Sequence, residues 1–348
     1  MSPRPGDSAV VELRPSAIEG GFAARDLLGP GARVPELDEL DTALVLLLLK
    51  DGRLSNRELA TATAVGETTV GVRLRRLVAS RVLTFTALFD WEAAGFDWLV
   101  IAKINVGART PKDVAYDVAR LRQCEAAAVA FGEADVLAYF LATDREEIND
   151  LLEHQLAAVP GITSARIDVA TRSAVTDLGR RFYLAQQATP IRLPAPVVAL
   201  DSLDADIMQA LVDDGRQSSR RIARQLSVSE GTVRARVNRL TSSGLMRIAA
   251  LVEPSAFGAI GAIANIGLRV DRGAVGTVYA ALDSLPQSLF KAVTVGSADL
   301  TVTIAGSDQN ELLNAVLQHV RALPGVHSAE PLQLVDVVRF PVHLKRLT

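Results

Sequence analysis

The residues in this sequence best suited to chemistry are arginines. Between Arg216 and Arg247 stand eight arginines, no lysine and one acidic residue, Glu230. A guanidinium offers two parallel N–H bonds, so it can fork onto a phosphate or onto the edge of a guanine. Val233, Val237 and Leu240 repeat at i, i+4 and i+7, the apolar stripe of a helix. That stripe turns Gly231, Arg234, Ala235, Asn238 and Arg239 to the opposite side and leaves Arg236 on the flank. Arginines for guanine edges, an asparagine for an adenine edge and small residues that let the backbone come close would suit a major groove. Arg220, Arg221, Ser229 and Thr232 complete this candidate DNA-contacting set, and its arginines would also supply the phosphate contacts that give most of the affinity.

A weaker version of the same helix lies 163 residues upstream. Val70, Leu74 and Leu77 keep the stripe, and Thr68, Val72, Arg75 and Arg76 point away from it, with Arg73 and Gly71 at the sides. Thr68, Arg73, Arg75 and Arg76 are its candidate DNA contacts. Gly71 in mid-helix costs ~1 kcal/mol against Ala, and Gly66 replaces the capping serine of the second copy. The two readers are therefore expected to have diverged, with the second carrying most of the specificity.

A third pattern is a short turn found twice, Gly132-Glu133-Ala134-Asp135 and Gly296-Ser297-Ala298-Asp299. As a plain hairpin, its Gly supplies positive φ and its Asp bonds the loop backbone. As a binding turn, its amides could take a carboxylate and its Asp an ammonium group. The spacing alone leaves both readings open. No catalytic constellation stands out: the four histidines lack metal-ligand spacing, and neither a phosphate loop nor a dinucleotide fingerprint is present. No metal and no cofactor are expected, and the chain reads as a non-enzyme. His154 and His319, on matching helices, are expected at the surface.

The elements that must position these groups come in two copies. Leu37, Asp41, Gly52, Ala60, Thr69 and Leu77 fall on Leu200, Asp204, Gly215, Ala223, Thr232 and Leu240, and at an offset of 164 Gly132, Asp135, Pro160 and Gly161 meet Gly296, Asp299, Pro324 and Gly325. Each copy begins with three helices, expected at 39–50, 55–63 and 67–80 and at 202–213, 218–226 and 230–243. Strand and helix patterns then alternate in βαββαβ order. In copy one they fall at 98–106, 111–122, 126–131, 134–142, 144–158 and 162–172. In copy two they fall at 262–270, 273–285, 289–295, 298–305, 308–322 and 326–338. The fold class is α+β, with two winged-type helix-turn-helix domains and two ferredoxin-like domains in tandem. Helices would cover one face of each sheet, and the bare faces would pack together within the chain.

The expected organisation is a mostly disordered lead (1–36), a first helix-turn-helix domain (37–84) and a first ferredoxin-like domain (98–178). A Pro-bearing extended linker (186–199) follows, then the second helix-turn-helix (200–247) and ferredoxin-like (260–340) domains. Residues from about Pro341 show no clear element. The chain has 348 residues and a net charge of −3, so local charge must decide its partners. One cysteine, Cys124, excludes an internal disulfide. The longest aliphatic run, Leu44–Leu49, is far short of a membrane span. A cytoplasmic, nucleoid-associated protein is expected, and the excess of arginine over lysine suggests a GC-rich bacterial gene.

The segment Ala223, Ser227-Val228-Ser229, Val233, Arg236-Val237, Arg239-Leu240, Gly244-Leu245-Met246 resembles the helix-turn-helix of the Lrp/AsnC family of regulators. The Gly132–Asp135 and Gly296–Asp299 turns are similar to the Gly-x-x-Asp signature of that family's ligand-sensing domain. The resemblance covers about 37–178 and 200–340. It implies a transcription regulator of double-stranded DNA, tuned by a small-molecule effector such as an amino acid. It makes the two turns (Gly132, Glu133, Ala134, Asp135, Gly296, Ser297, Ala298 and Asp299) the effector-binding residues, and it implies a homo-oligomer. Two alternatives share the fold: a haem-precursor (sirohaem) decarboxylase and a DNA-organising protein without a ligand. The retained arginines favour the regulator.

Overall fold

The computed structural model describes residues 10–14, 37–80, 82–181, 190–252 and 260–347. A short strand β1 (Val11–Leu13) precedes helices α1 (Glu39–Lys50), α2 (Asn56–Thr63) and α3 (Glu67–Ala79), and strand β2 (Leu83–Asp90) follows them. The first βαββαβ unit runs β3 (Trp98–Val106), α4 (Pro111–Ala119), β4 (Cys124–Phe131), β5 (Val136–Ala142) and α5 (Arg145–Asp150). A π-helical turn at Leu151–Gln155 and the short α6 (Leu156–Ala158) lead to β6 (Ile162–Val175). Helix α7 (Asp177–Arg181) and strand β7 (Ile191–Leu193) connect to the second copy. There α8 (Ser202–Asp213), α9 (Ser219–Leu226) and α10 (Glu230–Ser242) are followed by β8 (Met246–Val252) and β9 (Ala262–Val270). Helix α11 (Val275–Ala281), strands β10 (Ser288–Val295) and β11 (Leu300–Gly306), helix α12 (Gln309–Asn314), strand β12 (Val326–Arg339) and the tail strand β13 (Leu344–Lys345) complete the described chain.

The expected elements form, and their local chemistry explains where they start. Asp38 and Asp201 cap α1 and α8 through reciprocal capping boxes, while Ser55, Ser218 and Ser229 cap α2, α9 and α10. Gly66 caps α3 with no side-chain bond. Along β3, Val100, Ala102 and Ile104 pack with Val114 and Val118 of α4, and Leu99 and Ile101 join a separate core. Both faces of the strand are therefore buried, which its pattern of two partly apolar faces anticipates.

The second face is buried because the two ferredoxin-like units close on each other. Their strands form one eight-stranded closed barrel in the order β10-β11-β9-β12-β4-β5-β3-β6. Two antiparallel seams join the halves, β12 on β4 and β6 on β10, with Leu334 opposite Ala130 and Ala170 opposite Thr294. The seams are related by the repeat, so the last, fourteen-residue strand of each unit pairs with the second strand of the other. Closure leaves neither unit with an open sheet edge at these strands.

The two three-helix units are also joined. Strand β2 pairs antiparallel with β8, a wing from each copy, and β13 adds in parallel to β2. Each unit's helix-ending glycine lies on the other copy's wing. A Cβ on Gly52 would sit 2.6 Å from the Ala250 amide nitrogen, and one on Gly215 2.7 Å from that of Thr86. Backbone cannot yield there as a side chain tip can. Gly52→Ala and Gly215→Ala are each expected to cost about 1–3 kcal/mol through overpacking. Gly276→Ala on α11, with nothing within 4 Å, should be neutral or slightly stabilising. Urea unfolding curves of the three variants measure the contrast.

The structure differs from the sequence reading at the chain's margins. Within the lead expected to be disordered, Val11–Leu13 forms a strand on Ile191–Leu193, inside the expected linker. Leu13, Ile191 and Leu193 are buried in the core of the second helical unit, whose apolar surface supports both short strands. The remainder of the lead (1–9 and 15–36) and residues 186–189 of the linker lie outside the described residues. The tail, for which no element was expected, carries β13 and is tied down by Arg346, which bonds Asp90 and Glu92.

Candidate functional site

Helix α10 packs its stripe inward and leaves one face open. Val233 and Leu240 are buried, Val237 is half-buried, and Ser229, Gly231, Arg234, Ala235 and Asn238 are exposed. Arg220 and Arg221 are exposed on α9 beside it. Thr232 is half-buried, and its hydroxyl lies 2.8 Å from that of Ser229, so both serve the helix start. Arg234 pairs only along its own helix, with Glu230 at 2.6 Å. An exposed i,i+4 pair of this kind is worth a few tenths of a kcal/mol, so it is easily exchanged for another anion.

Arg236 and Arg239 behave differently from the expectation. They are drawn back onto the start of α8. Arg236 reaches Asp201 at 2.6 Å and Asp204 at 3.0 Å, while Arg239 pairs with Asp204 and donates to the Ala199 carbonyl at 2.9 Å. Asp204 is 1% exposed, and its backbone amide is capped by Asp201 at 2.9 Å. The Arg236 hydrogen bond and then the Asp204 amide push the Asp201 carboxyl down to about 2. These arginines therefore hold α10 to the first helix of its unit. A buried carboxylate needs charged donors, and the flank of α10 is where they must stand.

The same clamp recurs in the first copy. Arg73 bonds Asp38 and Asp41, the latter at 3.2 Å, and Arg76 bonds the buried Asp41. The Asp41 amide, with Arg73 beside it, holds the Asp38 carboxyl below the usual carboxylate range. Four of the six pairs bridge residues 35 apart, 38 to 73, 41 to 76, 201 to 236 and 204 to 239, and the other two, 41 to 73 and 204 to 236, are 32 apart. Arg73, Arg76, Arg236 and Arg239, all placed in the DNA-contacting set, are thus each paired with aspartates of their own unit, while Arg76 and Arg239 stay exposed. Thr68, Val72, Arg75 and Arg76 are exposed on α3, Arg76 while bonded to Asp41. Gly71, buried against Asn56, is the close-approach point between α3 and α2.

The two Gly-x-x-Asp turns lie at the barrel seams, each against the last strand of the other copy. Both glycines have positive φ, 143° at Gly132 and 151° at Gly296. Asp135 and Asp299 accept the amides of Val106 at 2.7 Å and Val270 at 3.0 Å, at the ends of β3 and β9, and not an amide of the turn itself. They are anchored within their own units. In the first turn Ala134 is buried, and Glu133 reaches Lys103 at 2.8 Å and Arg166 at 3.0 Å. Burial alone would raise the Glu133 carboxyl, but Lys103 and Arg166 outweigh it and hold the group below its ordinary value. In the second turn the amides of Ser297 and Ala298 and the Ser297 hydroxyl all donate to Asp168 of β6.

Lys103, Arg166 and Asp168 were missed by sequence reasoning. Lys103 was placed on the second face of β3, and a lysine on a half-apolar strand face signals a buried partner. The aspartates of the clamp also carried a signal, Asp-x-x-Asp followed 35 residues later by Arg-x-x-Arg in both copies. Elsewhere in the barrel, Tyr139, Asn265, Thr301 and Thr303 form a hydrogen-bonded group, and burial pushes the Tyr139 hydroxyl up to about 12. An apolar cavity of about 130 Å³ adjoins it, with Trp91, Leu137, Phe290 and Phe340 among its lining. His154 and His319 are exposed as expected, whereas His343 is buried against Ala87. Among the described residues there is no cluster that could hold a metal ion, and no helix is long and apolar enough to cross a membrane.

Comparison with known proteins bears on this geometry. The AsnC-type helix-turn-helix domain matches residues 37–78 and 200–241, and the Lrp/AsnC ligand binding domain matches 99–178. An uncharacterised HTH-type transcriptional regulator of Pyrococcus abyssi is 33% identical over 144 residues, 41% of this chain and 90% of that protein. The HTH-type transcriptional regulator FL11 of Pyrococcus horikoshii is 31% identical over 149 residues, 42% of this chain and 97% of that protein. These relatives are archaeal, whereas composition had suggested a bacterial gene. Among solved structures, the siroheme decarboxylase NirDL has a TM-score of 0.59 at 15% identity, covering 89% of this chain and 95% of that chain. That likeness is one of fold, and it extends over both copies.

Proposed function

This chain belongs to the Lrp/AsnC family of transcription regulators, and from that premise we propose that its paired readers bind duplex DNA sequence-specifically while the barrel senses a small molecule. The observation that carries the reading is the open face of α10, where Arg234, Ala235 and Asn238 stand exposed on a helix clamped from behind. A groove reader needs donors on one side and rigidity on the other, and this helix has both. Arg220 and Arg221 supply phosphate contacts from α9. The first reader, with Thr68, Val72 and Arg75 outward, contributes fewer base contacts, so a bound site is two unlike half-sites. Because β2 and β8 join the readers, one chain places both.

The effector is an amino acid or a close relative. At the first turn the amides of Glu133 and Ala134 meet no acceptor among the described residues, while Lys103 and Arg166 pair with the Glu133 carboxylate. Such a turn suits a small carboxylate. Binding at the seam would shift the angle between the halves, and so the spacing of the readers, to the extent that one arrangement holds the ligand better. The protein acts in the cytoplasm on the nucleoid, and whole chains associate further. The decarboxylase reading is the weaker one. The apolar cavity beside Tyr139, inside the barrel, has no histidine among its lining.

The test is fluorescence anisotropy of the full chain with DNA from upstream of its own gene. Binding is expected, with a loss of about a thousandfold in affinity between 50 and 200 mM salt if some six phosphates are contacted. No preference for this DNA over a random duplex at 50 mM salt would refute sequence-specific reading.

A further inference from the structure

The second sensing turn already holds a carboxylate. We propose that Asp168 is a resident occupant of the Gly296–Asp299 turn, closing that site to external carboxylates and leaving one chain with a single open sensing turn. This rests on the reading of the two turns as small-molecule sites.

The geometry at the second turn is that of a captured anion. Asp168 lies on β6 of the first copy and reaches across the seam. Its Oδ1 accepts the amides of Ser297 and Ala298, the latter at 3.3 Å, and its Oδ2 accepts the Ser297 hydroxyl at 2.9 Å. Lys103 brings a positive charge to 4.0 Å of the same carboxylate. Asp168 is 1% exposed, so its carboxylate is shielded from water. Gly296 has no room for a Cβ, because Asp168 and the Ile167 carbonyl occupy that space.

The repeat shows what this site would be without the occupant. At the offset of 164, Asp168 corresponds to Leu332, Ser297 to Glu133 and Lys103 to Gly267. Leu332 is fully buried against the first turn, where it offers no acceptor to the amides. The three differences depend on one another. A Cβ on Gly267 would lie 3.1 Å from the Lys103 ammonium, so any side chain there would crowd the lysine. Identical subunits would be forced to carry two aspartates and two lysines or none. Two copies in one chain are free to differ, and the ammonium of Lys103 serves both Glu133 and Asp168.

The experiment uses the full chain and its Asp168→Ala variant, with formate as the probe. Thermal unfolding is followed in formate and in chloride at equal ionic strength. In the wild type only the open first turn can take formate, so its Tm gain in formate over chloride sets the baseline. The variant should unfold about 5 °C lower, because three donors lose their acceptor, and formate should restore the loss in a saturable way. An unchanged Tm, or a variant that formate raises no more than the wild type, overturns the proposal.

Should Asp168→Ala fail to fold, amide exchange in the wild type decides. The amides of Ser297 and Ala298 should exchange at least ten times more slowly than those of Glu133 and Ala134, and equal rates overturn the proposal. The sensing reading is judged separately, by whether an amino acid shifts DNA affinity in the wild type. A response there without formate rescue rejects the occupant alone, and rescue without a response rejects the sensing reading alone.

Discussion

Asp204→Ala should lower the stability of the second reader by about 3 kcal/mol, the lower end of what removing one partner from a buried pair costs. The lower end applies because the two arginines are 27% and 42% exposed, so water recovers part of their charge once the carboxylate is gone. The variant also loses the side chain that bonds back to the Asp201 amide, at 3.1 Å. Asp204→Asn keeps the size and one acceptor and should fall between. The urea midpoint should move with an unchanged slope. DNA affinity should drop more than tenfold although no contacting group is touched, since α10 loses its backing. Asp41→Ala should match the stability loss and have the smaller effect on DNA. A midpoint unmoved by Asp204→Ala would show that the clamp contributes nothing.

Arg234→Ala and Asn238→Ala should each weaken specific binding by about 1–3 kcal/mol, roughly 5- to 150-fold, and relax the preference at one base pair. Their stability cost should stay within about 0.5 kcal/mol, because both side chains are exposed and Arg234 gives up only its pairing with Glu230. The pattern is the reverse of that for Asp204, so anisotropy and unfolding together separate reading from positioning. Arg75→Ala on the first reader should cost less than Arg234→Ala. If the two losses were equal, the readers would share the work and their divergence would have no bearing on recognition.

Much of the fold was legible because it was written twice. The apolar stripes and the Asp-Gly helix ends repeat at one offset, so each copy checks the other. Strands β3 and β9 have the expected ends, since their alternation starts and stops sharply. The wing strands β2 and β8 were not assigned. Each pairs with the other across 157 to 169 residues, and no local pattern encodes that partner. Strands β1, β7 and β13 are two or three residues long, and what holds them is the surface beneath.

The site was legible in part. Helical spacing separated Arg234 and Asn238 from the core, but it ranked Arg239 with them. A helical wheel gives direction, and a long arginine can turn back along the surface to a carboxylate on another helix. The buried partner, Asp204, sits in a first turn where acidic residues are ordinary caps, so its second task was hidden. Asp168 was invisible for the opposite reason. Its donors come from a turn 129 residues away, and only barrel closure brings them together.

Covalent continuity between the two halves of the barrel changes how the pair responds to gene dosage. Readers carried on separate subunits part on dilution, and operator occupancy then falls with the square of subunit concentration. Here the seams and the joined wings lie within a single polypeptide, so the paired state survives at a few molecules per cell. Halving expression should halve the number of competent readers instead of quartering it, and a short supply of protein would still find its DNA as a complete unit.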